Sequence, residues 1–143
     1  MDPELAYLAG FIDGEGHIAV GLNKNPGGKR RWYLRFACHQ VNPAPLALLQ
    51  RRFGGSIQKT RRIGNQRAIQ EWSTTSMAAY EAIKALRPYL VVKAAEADVA
   101  IEFQELLLHR GTRRTVLLPH EEAARQDCYE RMRALKHINY DET

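Results

Sequence analysis

The sequence predicts a mixed α+β fold in which helices cover one face of a four-stranded antiparallel sheet. Two pairs of segments alternate between apolar and polar residues, which is typical of half-buried strands. Helical periodicity occupies the segments before, between and after these pairs, an order typical of α+β proteins. A chain of 143 residues suits one domain, with a core over about residues 3–109 and a helical C-terminal segment over about 110–143.

The first predicted element is a helix over about residues 3–13. Asp2 can cap its N-terminus, and Pro3 suits the first helical position. Apolar residues with helical spacing predict the buried face: Leu5, Leu8, Ala9 and Ile12. A second stripe consists of small residues four positions apart: Ala6, Gly10 and Gly14.

Two hairpins follow, separated by a helix. Residues 17–39 alternate with a period of two and predict two strands around the turn-rich NPGGKR. A helix is predicted over about 44–53, before a second hairpin with strands Ser56–Arg62 and Ala68–Ser73 around GNQ. Further helices are expected over about residues 76–90, 93–109 and 119–138.

Basic residues are concentrated in the segment that contains both hairpins. Between Glu15 and Glu71 there is no acid, whereas eleven of the 21 Lys and Arg residues lie there. We interpret this segment as a surface for a polyanion rather than as an ordinary solvated face.

The two cysteines and the absence of long apolar segments indicate an intracellular protein. Cys38 and Cys128 show no disulfide or zinc-site spacing. No apolar segment approaches the roughly 18 to 20 residues of a membrane span, and the start MDPE is unlike a secretory signal. We therefore expect a protein that is neither secreted nor bound in a membrane.

The segment LAGFIDGEG, residues 8–16, places two acids and three glycines at the end of the first helix. A dinucleotide loop requires a strand before its glycines, and a calcium loop requires regularly spaced oxygen ligands; neither pattern is present. Carboxylates at a helix C-terminus are disfavoured by the helix dipole. Asp13 and Glu15 therefore indicate a compensating cation, and Mg²⁺ is a hard ion that suits them.

This segment resembles the signature motif of the LAGLIDADG homing endonucleases, and the order of elements is similar to that family's αββαββα core. The resemblance implies the LAGLIDADG homing-endonuclease fold with a four-stranded DNA-binding sheet. Because the motif occurs once, it implies the homodimeric class, which cuts a long pseudo-palindromic DNA site with Mg²⁺ or Mn²⁺. From the strand length we expect a site of about 18–22 base pairs. The expected dimer interface consists of Ala6, Gly10, Asp13 and Gly14.

The resemblance also implies the residues of the active site. Glu15 stands at the motif position that holds the metal, and the implied metal ligands are Glu15 and Gly14. Gln40 would position water, and Lys93 would stabilise the charge that develops at phosphorus, so the implied catalytic residues are Glu15, Gln40 and Lys93. A further basic residue found in some relatives is absent after Gln40, where Ala44 and other apolar residues follow, so its contribution is either missing or comes from Arg51 or Arg52.

The outward faces of the strands are predicted to enter the major groove, because a two-stranded ribbon fits there. The DNA-binding candidates are polar or basic: His17, Asn23, Asn25, Lys29, Arg30, Arg31, Tyr33, Arg35, Gln58, Thr60, Arg62, Gln66 and Arg67. The small residues Ala19, Gly21 and Ala37 are expected to leave gaps, where DNA is recognised through water or through its shape.

Two other functions on the same fold stay open. One is a non-cleaving DNA-binding regulator, and the other is an RNA-splicing maturase, since a basic surface does not distinguish nucleic acids. Glu15 favours cleavage, because a pure binding module does not need a metal-binding acid. An unrelated metal enzyme built on the five histidines is disfavoured by their lack of ligand spacing.

Overall fold

The computed structural model describes residues 1–60, 64, 67–110, 117–138 and 140 of the chain. The predicted order of helix, hairpin, helix, hairpin and helices is confirmed. The elements are α1 (Pro3–Glu15), β1 (Gly16–Lys24), β2 (Arg30–Gln40), α2 (Ala44–Phe53), β3 (Ser56–Lys59), β4 (Gln70–Thr75), α3 (Ser76–Leu86), a 3₁₀ turn (Arg87–Tyr89), α4 (Ala94–Arg110) and α5 (Pro119–Lys136).

The four strands form one antiparallel sheet, as predicted, and the structure shows that their order is β1-β2-β4-β3. In the first hairpin Gly16 pairs with Cys38 and Lys24 pairs with Arg30. The second hairpin contributes β4 to the middle of the sheet, where Gln40 of β2 has Gln70 as its partner. The two hairpins therefore join through β2 and β4, and β1 is an edge strand.

The second hairpin differs from its predicted bounds of Ser56–Arg62 and Ala68–Ser73. Among the described residues its strands are Ser56–Lys59 and Gln70–Thr75; Arg61 and Arg62 of the predicted strand, and Asn65 and Gln66 of the predicted turn, lie outside the described residues. Thr60 ends the first of them, because its main-chain N–H and its hydroxyl both donate to the carbonyl of Ile69, each at 2.8 Å. The hydroxyl also accepts from the Ile69 N–H at 3.2 Å.

The core lies between one face of the sheet and the helices. The predicted inner face of α1 is confirmed for Leu8, Ala9 and Ile12, which are fully buried. In the sheet, Phe36 and Trp72 pack edge to face with ring centroids 5.1 Å apart. Even-numbered residues of β1 and β2 point into this core, so the odd-numbered ones form the outward face of the sheet.

The last two helices pack on each other and on the edge strand β1. Ion pairs link them at three levels, between Arg110 and Glu121 at 3.5 Å, between Arg131 and Glu102 at 2.8 Å and between Lys136 and Glu96 at 3.4 Å. The C-terminal end of α5 thereby lies beside the start of β1. Among the described residues, no helix is both long enough and apolar enough to cross a membrane.

Candidate active site and nucleic-acid interface

The junction between α1 and β1 places Glu15 at one end of the sheet. The helix is longer than predicted and runs through Glu15, and β1 begins at Gly16 without a loop. The Gly16 N–H donates to the carbonyl of Ile12, and a Cβ at Gly16 would lie 2.7 Å from that oxygen, so the close turn requires glycine. The Glu15 side chain is exposed and makes no hydrogen bond or ion pair with the rest of the described chain.

Asp13 is bonded within the chain on both carboxylate oxygens. They accept from the main-chain N–H groups of Val91 at 2.9 Å and Lys93 at 3.0 Å. The Lys93 ammonium also donates to the Asp13 carbonyl at 3.2 Å, at the negative end of the helix dipole. The charge of Asp13 is therefore compensated by the chain itself, whereas the neighbouring Glu15 keeps an unpaired charge.

The predicted catalytic residues come from three segments that meet at this end of the sheet. Gln40 is the last residue of β2, two positions after the partner of Gly16, and its side-chain oxygen accepts from the Val41 N–H at 2.8 Å. Lys93 lies in the loop before α4 and lines a cavity of about 360 Å³ that opens beside Gly16. Other residues that line this cavity are His17, Glu96, Leu135 and Lys136.

The expectation that Arg51 or Arg52 supplements this site is wrong. Arg51 contacts Glu4 at 3.1 Å, and Arg52 contacts Asp2 at 2.6 Å. Both acids are at the N-terminus of α1, roughly 17–20 Å along the helix from Glu15 at 1.5 Å per residue. These ion pairs hold the last turn of α2 against the N-terminus of α1.

Burial and nearby charges set the state of two side chains next to Glu15. The pKa of His17 is lowered, mainly by burial and also by the positive charges of Lys136 and Arg35. Burial raises the pKa of the Cys38 thiol to about 12, with smaller contributions from the negative charges of Glu15 and Glu71. His17 is therefore neutral near pH 7, and Cys38 stays a protonated thiol.

The chain alone offers few ligands for a metal ion. Within the described residues no three His, Cys, Asp or Glu side chains are grouped as metal ligands. The available hard oxygen donors here are the Glu15 carboxylate and the main chain of the last helical turn, where Gly14 lies and where carbonyls lack intrahelical partners.

Most of the DNA-binding candidates lie on the outward face of the sheet or on its hairpin loops. The exposed ones are His17, Asn23, Asn25, Lys29, Arg30, Arg31, Gln58, Thr60 and Arg67. Tyr33 and Arg35 are half-buried. The hydroxyl of Thr60 is used to close the second hairpin. The candidates Arg62 and Gln66 lie outside the described residues.

Two of the three expected gaps on this face are filled. A Cβ added at Gly21 would lie 2.6 Å from the Tyr33 hydroxyl, so the tyrosine ring lies across the glycine. Ala37 is fully buried although it belongs to the outward face. The expectation of gaps at these two positions is therefore wrong, because the Tyr33 ring lies over Gly21 and Ala37 has no exposed surface; Ala19 is partly exposed.

Sequence analysis missed Glu71, an acid in the middle of this basic face. Its carboxylate contacts Arg35 and His39, each at 2.5 Å. The signal was present, since Trp72 and Thr74 are the inward residues of β4 and their alternation puts Glu71 outward.

Solved structures share this architecture at low sequence identity. The archaeal intron-encoded homing endonuclease I-Vdi141I, complexed with DNA, matches with a TM-score of 0.77 and 18% identity over 97% of this chain and 87% of that one. The homing endonuclease I-CvuI, in complex with its target in the presence of calcium, matches with a TM-score of 0.63 and 18% identity over 96% of this chain and 97% of that one.

A third match carries the name of the motif. The LAGLIDADG homing endonuclease I-GzeII, in complex with its DNA target, matches with a TM-score of 0.66 and 19% identity over 97% of this chain and 45% of that one. No protein-family model and no curated protein matches the sequence.

Proposed function

The chain has the fold of the LAGLIDADG homing endonucleases with that family's motif at the end of α1, and we propose that it is a site-specific double-strand DNA endonuclease. It acts as a homodimer with a divalent metal ion. The observation that carries this proposal is Glu15, an exposed and unpaired carboxylate held at the end of a sheet whose outward face is basic. An acid in this position repels DNA unless a cation stands between them.

The proposal of a homodimer is based on the exposed side of α1. Gly10 and Gly14 are exposed, and apart from adjacent residues and the backbone of α1 itself no atom of the described chain lies within 4 Å of the place where their Cβ atoms would be. With Ala6 they give a stripe along which a second α1 can approach closely across a two-fold axis. Such a crossing brings two copies of Glu15 together. Asp13 accepts hydrogen bonds from Val91 and Lys93 in a loop of the same chain. In this arrangement it fixes the end of α1 instead of binding the partner.

The residues at the helix end suit a hard divalent ion. Mg²⁺ prefers oxygen ligands and is held by one or two carboxylates while it keeps several waters. Glu15 from each copy, with the main chain at Gly14, would hold it. When bound, the metal supplies Lewis-acid stabilisation and lowers the pKa of a bound water.

Other residues of the chain act on the phosphate and on water. The Lys93 ammonium has three N–H groups, one of which donates a hydrogen bond to the Asp13 carbonyl. The other two can donate to a phosphate oxygen. The side-chain oxygen of Gln40 is occupied by the Val41 N–H, so the free side-chain amide group donates to a water or phosphate oxygen. Both side chains are therefore positioned before DNA binds.

The sheet supplies the length of the recognised site. β1 has nine residues. At about 3.3 Å per residue they span about 30 Å, or roughly nine base pairs at 3.4 Å per step. Two copies then contact a pseudo-palindromic site of about 18–22 base pairs.

The experiment that tests the proposal is an unbiased cleavage assay. The purified protein is incubated with a diverse duplex DNA library and Mg²⁺, and newly formed ends are sequenced. Glu15→Gln is compared with Asp98→Asn, which neutralises an acid that pairs with Arg87 away from the site. We expect cuts at the centre of one long pseudo-palindrome with the wild type and Asp98→Asn and none with Glu15→Gln, which still binds the site within a few fold.

The alternatives give different outcomes. Cuts by Glu15→Gln would overturn the assignment of this residue. Retention of one DNA sequence by both the wild type and Glu15→Gln, without cuts, would favour a DNA-binding regulator. Preferential retention of structured RNA would favour a maturase.

A further inference from the structure

The outward face of the sheet contains one acid that the cleavage proposal does not use. Glu71 is the only Asp or Glu in the four described strands. One carboxylate oxygen contacts a guanidinium nitrogen of Arg35, and the other contacts Nε2 of His39, both at 2.5 Å. The exposed fraction of the side chain is 22% for Glu71, 31% for Arg35 and 49% for His39. The cluster is therefore ordered by its own contacts and still open to a ligand.

The strand register makes this cluster a strip along β2. His39 is the direct cross-strand partner of Glu71, whereas Arg35 stands opposite Thr75, four residues further along β4. Arg35 must therefore extend along the strand to reach Glu71. Ala37 lies between Arg35 and His39 on the same face and is fully buried, which agrees with a side chain lying across it. The direction of the guanidinium is thus fixed before any ligand binds.

A carboxylate at this position is suited to a base edge and not to the DNA backbone. It repels phosphates, and it can only accept hydrogen bonds. In the major groove its partners are amino groups, and cytosine N4 is the usual one for Glu, whereas Arg donates to O6 and N7 of guanine. Both oxygens of Glu71 keep an acceptor site after contacting Arg35 and His39.

We propose that the Arg35–Glu71 pair reads one G·C base pair in each half-site, with Arg35 donating to guanine and Glu71 accepting from the cytosine amino group. His39 is a positioning residue that holds the second oxygen of Glu71. Arg35 stands opposite Ala19 of β1, four residues after Glu15. At about 3.3 Å per residue the base pair lies within roughly 13 Å, or about four steps, of the Glu15 end of the sheet.

This inference rests on the proposed function for its DNA partner, but its test does not need cleavage. The wild-type protein selects binders from a random duplex library in the presence of Ca²⁺, which replaces Mg²⁺ as the cation at Glu15, and the bound sequences are read. The same selection is made with Glu71→Gln, which is isosteric, with Arg35→Lys, which keeps the charge but not the planar fork, and with Asp98→Asn as a control away from the sheet. Thermal unfolding establishes that each variant is folded.

We expect the wild type and Asp98→Asn to enrich G·C at one symmetric pair of positions near the centre of the site. Glu71→Gln and Arg35→Lys should lose that preference by about 5- to 150-fold, the discrimination of one good base contact, with the other positions unchanged. An unchanged profile in folded Glu71→Gln would show that Glu71 only neutralises Arg35 and would overturn the inference. Sequence-specific enrichment by a wild type that never cuts would reject the cleavage proposal alone. The absence of any enriched sequence would overturn both.

Discussion

Asp13 and Glu15 are two residues apart at the end of α1, yet neutralising them should change stability in opposite directions. Asp13→Ala removes the acceptor for the N–H groups of Val91 and Lys93. Glu15→Gln removes a charge that has no partner in the described chain and lies at the negative end of the helix dipole. We therefore expect Asp13→Ala to lower the free energy of unfolding and Glu15→Gln to raise it slightly.

The contacts set the size of each effect. Hydrogen bonds to a charged group contribute about 1.5–3 kcal/mol each. The bond from Val91 is exposed and the bond from Lys93 is half-buried, so water replaces the first at little cost and the second carries most of the loss. Removing an acid from a helix C-terminus raises the free energy of unfolding by about 0.3–1 kcal/mol. The net loss for Asp13→Ala is about 2 kcal/mol, and the gain for Glu15→Gln is about 0.3–1 kcal/mol.

Urea unfolding at neutral pH and low salt measures both changes, and Asp13→Asn, which keeps one acceptor, should fall between Asp13→Ala and the wild type. Because Asp13 also holds the loop that carries Lys93, Asp13→Ala should slow cleavage while the protein stays folded. Glu15→Gln should abolish cleavage at undiminished stability. An Asp13→Ala protein as stable as the wild type would refute the assignment of Asp13 as the residue that fastens this loop to α1.

Three further predictions concern other parts of the chain. Gly55→Ala should lower the free energy of unfolding by more than about 2 kcal/mol, because the φ of Gly55 is +88° and a Cβ would lie 2.7 Å from a main-chain oxygen of β4. Gly54 has a φ of +74° but open space at its Cβ position, so Gly54→Ala should lower that free energy by about half as much. A urea titration measures both changes. The pKa of His17 lies below its ordinary value of 6.5, so its contribution to stability is full above pH 6.5 and is lost as the pH falls through the lowered pKa. Between pH 7 and pH 5, the His17→Gln protein should therefore lose less stability than the wild type. Burial raises the pKa of Cys38 to about 12 and of Cys128 to about 11, so a thiol reagent at pH 8 should label neither until the protein unfolds, and rapid labelling of folded protein would contradict their burial.

Elements with strong periodicity were predictable from the sequence. The first hairpin was placed almost to the residue, because β1 and β2 alternate apolar and polar side chains over nine and eleven residues. The second hairpin was predicted less well. Its strands are short, and the end of the first is set by hydrogen bonds between Thr60 and Ile69 that no local pattern announces.

By itself the sequence determined the class of fold, the face of each strand and the position of the motif, because these follow from side-chain periodicity and from residues adjacent in the chain. Only the tertiary structure decided which cation serves which acid. Lys93 contacts the C-terminal end of α1 from a loop 80 residues away in the chain, whereas Arg52 pairs with Asp2 at the opposite end of the helix. Glu71 pairs with Arg35 of another strand. Ion pairs form between charged groups that are close in space, and the distances between these groups are set only when the strands and helices pack.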